Sequence, residues 1–481
     1  MLVDVPVLVA PHRRCPPEAA MAVSGGRIVA VGSRQQCRHA LAACSEGAVE
    51  VIRAPAGSVV VPGFVDPHLH LRAMAAARCS VDLAALADGA AVRRDLAAAP
   101  GDGWLRAVGW DESLGHGPLT RADLDAACGH RPVVVHHATG YRVVLNTAAL
   151  QALGTDSAEA GDGDGELPSD HPILDEVPRV GPTELASALC SIGEGLTSAG
   201  VVAVEDATAT NDAADVDALT HGGLTVRVRA MVGVRAAGSA PPGTRVKVIV
   251  DEATSTAELS ETIAGAHRRG QPVALHVVDV GPLQVALDAL TGAPPPHPGR
   301  PDRLDRLEHV SLCLPEQVGA IARAGVAVVT QPTFLVHRSA KYRSSLSSVE
   351  QRWLYRLGSL ASAGVRVAAS SDAPVVPARP LESVQAMVER DHPAERVDVA
   401  TALDLVTRLA AVVSGAGSGV LDPGHRADFT VLGADPTAVV RSALADIPVL
   451  ATWVDGRPAT RATVAVPGAG AGSVVSGRCC G

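Results

Sequence analysis

Two histidines stand one residue apart in a setting typical of a metal site. His68 and His70 follow an apolar run, 58–61, and a Pro-Gly bend. If a strand continues through them, both imidazoles lie on the same face, because residues i and i+2 share a face. Two neighbouring imidazoles can chelate one divalent ion such as zinc, iron or manganese. The spacing therefore predicts part of a metal site at the end of a strand.

A lysine in an apolar, strand-like segment is a further candidate ligand. Lys247 and Lys341 are the only lysines in a chain with 41 lysine and arginine residues. A buried lysine can give up its proton, whereas an arginine cannot. The neutral amine can react with carbon dioxide to form a carbamate, whose two oxygens can bind metal. The alternative is that Lys247 lies at a strand end and extends its amine to solvent.

Three more candidate ligands end short apolar runs. They are His276, His309 and Asp372, and each run follows a helix-like stretch. This alternation is typical of a parallel βα barrel, in which catalytic residues come from the carboxyl ends of several strands. We therefore predict that these side chains join the His-Leu-His pair and the lysine in one site. For Asp372 the alternative is a purely structural role as the N-cap residue of a helix.

The elements that must position these residues predict an α/β protein with a distorted (β/α)8 barrel of the TIM type. The barrel spans 62–416 and carries a long insertion, 71–190, after its first strand. The two chain ends, 1–61 and 417–466, contain short strands that are too few for a stable sheet on their own. We therefore predict that both ends form one small β-sandwich. The segment 467–481 is rich in Gly, Ala and Ser and is predicted to be disordered.

Composition and charge limit the classes of partner that we expect the chain to bind. The formal net charge of −10 over 481 residues argues against nucleic acid. No apolar run reaches the length that a bilayer requires, so we expect no membrane partner. Nine cysteines without a Cys-x-x-Cys pair indicate reduced thiols. Together with the lack of a secretory leader pattern, this predicts a cytoplasmic protein.

Several motifs resemble those of the metal-dependent amidohydrolase superfamily. The run 61–70 is similar to the first-strand motif of that superfamily. The branch of large amidohydrolases that includes N-substituted formamide deformylase is the most similar. Motifs of that branch resemble the segments 108–112, 306–309, 331–334, 371–374 and 419–429.

The resemblance implies a site with two zinc ions bridged by carboxylated Lys247, with a single-ion site as the alternative. Asp372 would also take the proton of a metal-activated hydroxide and pass it to the leaving nitrogen. The ligands would be His68, His70 and Asp372 for one ion, and His276 and His309 for the other.

The implied reaction is hydrolysis of a C–N bond in a small-molecule amide, such as an N-acyl or N-formyl amine. Hydrolytic opening of a cyclic amide or related ring is the alternative, because the same site could perform it. A non-catalytic barrel used for binding is a third interpretation, and six aligned ligands argue against it. A homodimer is left open.

Substrate contacts are predicted in the insertion. Aromatic residues make up only 2% of the chain, and Trp110, His137 and Tyr141 lie in stretches that resemble a pocket-forming segment of the family. Loops at the carboxyl face of a barrel decide which substrate fits, so we expect the insertion to fold over the open end of the site. The alternative is that Trp110 and Tyr141 pack the insertion's own core.

Overall fold

A computed structural model describes most of the chain. The described residues are 1–10, 12–14, 16, 19–44, 49–140, 142–155, 164–168, 171–293, 304–417 and 419–460. The chain divides into two compact units, unit 1 (Met1–His70 with Gly193–Gly481) and unit 2 (Leu71–Ile192). Tyr141 and the segment 467–481, both singled out from the sequence, lie outside the described residues.

The described residues form 24 strands and 16 α-helices. The strands are β1 (Leu2–Val3), β2 (Leu8–Ala10), β3 (Arg13–Arg14), β4 (Ala19–Ser24), β5 (Arg27–Ser33), β6 (Val51–Ile52), β7 (Val59–Pro62), β8 (Phe64–Leu69), β9 (Val81–Asp82), β10 (Leu105–Trp110), β11 (Val133–His137), β12 (Arg142–Leu145), β13 (Glu166–Pro168), β14 (Val201–Asp206), β15 (Arg227–Ala230), β16 (Val232–Gly233), β17 (Val246–Ile249), β18 (Val273–Val277), β19 (Arg306–His309), β20 (Ala327–Thr330), β21 (Arg366–Ala369), β22 (Phe429–Leu432), β23 (Val449–Val454) and β24 (Arg457–Pro458). The helices are α1 (Arg34–Cys44), α2 (Leu71–Arg78), α3 (Gly89–Ala98), α4 (Arg121–Cys128), α5 (Thr147–Ala152), α6 (Pro182–Ser198), α7 (Ala213–His221), α8 (Thr256–Arg268), α9 (Val280–Thr291), α10 (Pro315–Ala324), α11 (Phe334–His337), α12 (Ser339–Ser345), α13 (Leu357–Ser362), α14 (Pro380–Val388), α15 (Val399–Leu405) and α16 (Arg408–Ser414).

Parallel strands form the centre of unit 1. One sheet has the order β15-β14-β8, and a second has the order β16-β17-β18-β19-β20-β21. Every pairing within these two sheets is parallel. Helices α8, α9 and α10 separate successive strands from β17 to β20. This is the α/β architecture that the sequence predicts.

The first and last of these strands approach each other at their carboxyl ends. No strand ladder joins β8 to β21 within the described residues. Two backbone hydrogen bonds link the end of β8 to the residues after β21. Asp372 N donates to His68 O at 2.9 Å, and His70 N donates to Ala373 O at 2.8 Å. Closure into a complete barrel stays a prediction.

Four of the parallel strands, two of which carry candidate ligands, are buried on both faces. All residues of β8, β14, β19 and β20 are buried, which is typical of parallel strands covered on both sides. Gly63 permits the close approach of the start of β8 to β14, because a Cβ at this position would lie 2.2 Å from Cγ1 of Val202. The Pro-Gly bend before the first strand is therefore a packing requirement as well as a turn.

The two chain ends meet in a pair of four-stranded sheets. Their orders are β5-β4-β1-β6 and β24-β23-β22-β7, and β22 pairs antiparallel with β7, so that both ends share one sheet. A single apolar cluster contains residues of both sheets, among them Met21, Phe429 and Trp453. The rings of Phe429 and Trp453 stack at 4.7 Å. A separate β-sandwich domain, with the boundaries expected from the sequence, stays a prediction.

Unit 2 has a mixed sheet of its own. Its order is β13-β12-β11-β10-β9, with β9, β10 and β11 parallel and the remaining pairs antiparallel. Two apolar clusters cover this sheet, one around Trp110 and one around Leu150. The unit spans nearly the same residues as the insertion expected from the sequence.

Within the described part of the chain, each helix is too short or too polar to cross a membrane.

Candidate metal centre

All six predicted ligands lie in unit 1, in or just after its parallel strands. His68 lies in β8, with His70 directly after it, and Asp372 follows β21 by three residues. Lys247, His276 and His309 lie in β17, β18 and β19. The sequence position of each ligand therefore translates into a place along one connected set of strands.

One group of three ligands converges closely. The nearest ligand atoms of His68, His70 and Asp372 all lie within 4.8 Å of one another. Nε2 of His70 is 3.0 Å and Nε2 of His68 is 3.5 Å from Oδ1 of Asp372. Oδ1 of Asp372 is buried and makes no well-oriented hydrogen bond within the described residues. Two imidazoles and a carboxylate at this spacing form a donor set that a transition metal prefers.

The remaining histidines continue this group. The rings of His68 and His309 lie 4.9 Å apart, and those of His309 and His276 lie 4.4 Å apart. Lys247 is 2% exposed, and its positive charge contributes to lowering the pKa of each of these three histidines. Lys247 lies on β17, which pairs with the strand that carries His276.

Several buried nitrogen atoms in this cluster make no hydrogen bond within the described residues. Nε2 of His68, Nε2 of His309 and Nζ of Lys247 are buried and make no hydrogen bond within the described residues. Buried polar atoms are nearly always satisfied, because desolvation without compensation costs about 1–3 kcal/mol per group. Several such atoms in one place indicate that a bound group completes the site. A divalent ion fits this donor set, since His68 and His309 each offer an Nε2 lone pair and Asp372 offers an oxygen.

Burial also sets the protonation states that metal binding needs. It lowers the pKa of His68 to about 3, with the charge of Lys247 as a second cause. Burial likewise lowers the pKa values of His276 and His309. A histidine must be neutral to bind metal, so these rings are in the required form near neutral pH. Burial lowers the pKa of Lys247 to about 8, which makes a neutral amine accessible.

Polar partners orient three of the rings. Nδ1 of His68 lies 2.5 Å from Oε2 of Glu308. Nδ1 of His309 lies 2.9 Å from Oε1 of Gln331, and Nδ1 of His70 lies 3.1 Å from Oγ1 of Thr208. Each contact involves Nδ1 and leaves Nε2 available, as in histidine ligands whose other nitrogen is held by a protein group.

Sequence reasoning did not identify these three partners. Glu308 and Gln331 lie in segments that resemble family motifs, and this resemblance was the usable signal for both. Thr208 carries no such signal, because a threonine after a strand is common in any loop.

The backbone of two ligands adopts an uncommon conformation. His309 has φ 68° and Asp372 has φ 62°, values that residues other than glycine adopt rarely. Such conformations are found preferentially at active sites. Asp372 is not a helix cap: α14 begins only at Pro380. The helix-cap role considered for Asp372 is therefore wrong, and its catalytic role stays a prediction.

The described substrate-binding candidates lie inside unit 2. Trp110 is 1% exposed, and its Nε1 donates to Gly117 O at 3.1 Å. Its ring contacts His137 edge-on at 5.0 Å and lies under the guanidinium of Arg142 at 5.3 Å. Trp110 thus packs the core of its own unit. A role in substrate binding for Trp110, His137 or Tyr141 stays a prediction.

A second group of candidate ligands surrounds His137. Ligand atoms of Asp111, Glu112 and His137 lie within 4.8 Å of one another. Both oxygens of Glu112 accept from Arg142 at 3.1 Å, and Oε2 also lies 3.0 Å from Nε2 of His137. Arg142 already supplies the positive charge that a metal ion would bring. This group is accordingly an ion-pair network of unit 2.

Trp110→Ala should destabilise the protein by about 3–5 kcal/mol, because it removes a fully buried aromatic side chain. Trp104→Ala, at a half-buried position of the same unit, should cost less. Urea unfolding followed by circular dichroism measures both. An unchanged unfolding midpoint in the Trp110 variant, with an altered ranking of substrates, would contradict the packing role.

Comparison with known proteins adds an independent observation. The model of the Amidohydrolase family matches residues 55–460. Amidohydrolase YtcJ of Bacillus subtilis is 27% identical, over 83% of this chain and 89% of its own length. N-substituted formamide deformylase of Arthrobacter pascens is 26% identical, over 91% of this chain and 94% of its own length. The crystal structure of an uncharacterized metal-dependent hydrolase from Pyrococcus furiosus has a similar fold, with a TM-score of 0.74 and 24% identity over 91% of this chain and 99% of that chain.

Proposed function

Because the chain belongs to the amidohydrolase family of metal-dependent hydrolases, we propose that it hydrolyses the C–N bond of a small amide, such as an N-acyl or N-formyl amine. The observation that carries this proposal is the convergence of His68, His70 and Asp372, beside other buried nitrogen atoms that make no hydrogen bond in the described part of the chain. The relative named as a formamide deformylase supports the choice of substrate class.

The metal proposed for this site is zinc. Three residues, His68, His70 and Asp372, would hold one ion, and His276 with His309 would hold a second. A divalent ion held there supplies Lewis acidity toward the substrate carbonyl and lowers the pKa of water.

Lys247 would join the two halves of this site as a carbamate. Its neutral amine forms a bond to the carbon of carbon dioxide and releases one proton, which leaves a carboxylated side chain with two oxygens. Its burial, with an Nζ that makes no hydrogen bond to any described residue, supports this proposal. A carbamate carries a negative charge, which would balance the charge of the ions.

Asp372 would move the proton in the reaction. Its carboxylate accepts a proton as the oxygen of water bonds to the amide carbon. It then gives that proton to the nitrogen as the C–N bond breaks, so that an amine and a carboxylic acid result. Oδ1 of Asp372 faces Nε2 of both His68 and His70, and this position supports a role at the reacting atoms.

The organisation of the chain follows the same proposal. The strands from β8 to β21 close into a barrel, and the sheets of the two chain ends pack as a small β-sandwich beside it. The only partner required is a small-molecule amide, and neither nucleic acid nor a membrane is needed.

Incubation with a panel of amides tests the function. We expect the zinc- or manganese-loaded protein to split N-formyl or N-acyl amines into two products, and the chelator-treated protein to be inactive. Cyclic amides belong in the panel because ring opening gives one product where deacylation gives two. A metal-loaded protein that cleaves only cyclic amides would replace the proposal by ring opening. A chain that purifies with negligible metal and cleaves no member of the panel would indicate a binding protein.

A further inference from the structure

We propose that Glu308 is a positioning residue that selects the tautomer of His68, and that Arg306 and Glu205 hold Glu308 in place for this task. The inference rests on the proposed function only in taking His68 as a metal ligand. It concerns a chain of buried ionic contacts that extends from His68 to Arg245 inside the parallel strands.

The first step is the contact between His68 and Glu308. Oε2 of Glu308 lies 2.5 Å from Nδ1 of His68, and neither side chain is more than 1% exposed. An ionised carboxylate only accepts hydrogen bonds, so Nδ1 must carry the proton. The lone pair of His68 is then on Nε2, the atom that faces Asp372 and has no partner among the described residues.

The second step is the anchor on Glu308. Arg306 donates from Nε to the other carboxylate oxygen of Glu308. From Nη2 it donates to the carbonyl oxygen of Pro67 at 2.8 Å. Pro67 directly precedes His68, so one guanidinium fixes both the backbone before His68 and the carboxylate that holds its ring.

The third step is the charge balance of the network. Nη1 of Arg306 donates to Glu205 at 2.7 Å, and Arg245 lies 3.5 Å from the other oxygen of Glu205. The charges of the two arginines and the two glutamates therefore cancel without any charge on His68. Each of these four side chains is at most 4% exposed. Hydrophobic residues of similar volume in place of a buried ion pair are often neutral or stabilising, so stability alone does not account for this network.

The two neighbours of residue 308 require a side chain that accepts a hydrogen bond from each of them. In Glu308→Gln the donor at Nε of Arg306 requires the amide oxygen on its side. The amide NH₂ then faces Nδ1 of His68, which must accept and cannot carry the proton. The proton moves to Nε2, and the lone pair that would bind the ion is lost although the side chain at position 308 keeps its shape.

Histidine labelled with ¹⁵N reports the tautomer in the metal-free, full-length protein, and competition with a chelator gives the zinc affinity. We expect His68 of the wild type to carry its proton on Nδ1. Glu308→Gln should shift it to Nε2 and lower the zinc affinity by about 10–100-fold, the usual effect of losing such a ligand partner. Glu308→Asp keeps an acceptor-only group and should keep the wild-type tautomer.

Glu395→Gln is the matched control. Glu395 is 2% exposed, and its side-chain hydrogen bonds within the described residues go to Arg356, at 3.2 Å, and to Ser359. Its variant should leave both the tautomer and the zinc affinity unchanged. A proton on Nε2 of His68 in the wild type, or wild-type zinc affinity in a folded Glu308→Gln protein, would overturn the inference. Neither readout uses amide turnover, so a failure of this inference can be distinguished from a failure of the proposed function.

Discussion

Lys247→Arg should abolish most of the bound metal and lower turnover by about 10³-fold or more. Arginine keeps its proton and cannot form a carbamate, so it would place a permanent positive charge among the histidines. Transition-state stabilisation by a metal ion amounts to several kcal/mol, and about 4 kcal/mol corresponds to this factor. Metal content measured by elemental analysis, together with turnover of the best amide, checks the expectation.

Lys341→Arg is the natural control, since Lys341 is the only other lysine and is exposed on α12. It should retain metal and activity. Thermal unfolding of both variants separates a local loss of metal from a loss of fold. Full metal content in a folded Lys247→Arg protein would rule out the carbamate bridge. The fallback would be a single ion, held by His68, His70 and Asp372 or by His276 and His309.

Asp372→Asn should lower turnover by about 10²–10⁴-fold, the usual contribution of a positioned acid–base group. Asparagine keeps the size and one oxygen of the side chain, so part of the metal should remain bound. What it removes is the ability to take a proton and return it to the leaving nitrogen. Steady-state kinetics with metal content measured on the same samples would separate the two roles of Asp372.

Asp404→Asn controls for the loss of a buried carboxylate. Asp404 is buried on α15 and pairs with Arg408 one turn further on, so its variant should affect stability more than turnover. Near-normal turnover in Asp372→Asn would refute the proton-transfer role and leave Asp372 at most a ligand.

The sequence predicts the family and the enzyme class, and both are confirmed by the family match over residues 55–460. The reason is local: most candidate ligands stand at or near the end of a short strand-like run, and such runs become parallel strands whose carboxyl ends share one edge. The spacing of His68 and His70 along the chain therefore predicts that they lie close together in the fold. For His276 and His309 the same holds through the pairing of β18 with β19.

Contacts between distant segments could not be predicted in this way. Glu308 lies 240 residues from His68, and Thr208 lies 138 residues from His70. Periodicity assigns a residue to a strand and a face, but it does not say which side chain across the sheet lies within hydrogen-bond distance. The buried contact between Arg306 and Glu205 was missed for the same reason.

Aromatic scarcity was an ambiguous guide to the substrate pocket. Trp110 drew attention because the chain has few aromatic residues, yet its ring is enclosed by the core of unit 2 and its Nε1 already has a partner. A large side chain in a poorly aromatic protein is as valuable for packing as for binding. Composition alone cannot separate these two uses.

Anomalous diffraction at the zinc edge, from crystals of the full-length chain grown with zinc, locates the metal directly. We expect a strong peak about 2.0–2.1 Å from Nε2 of His68 and of His70, with Asp372 as a further ligand. A second peak between His276 and His309 would support the two-ion site. Zinc bound only at Asp111, Glu112 and His137, or no peak beside His68 and His70, would contradict the account.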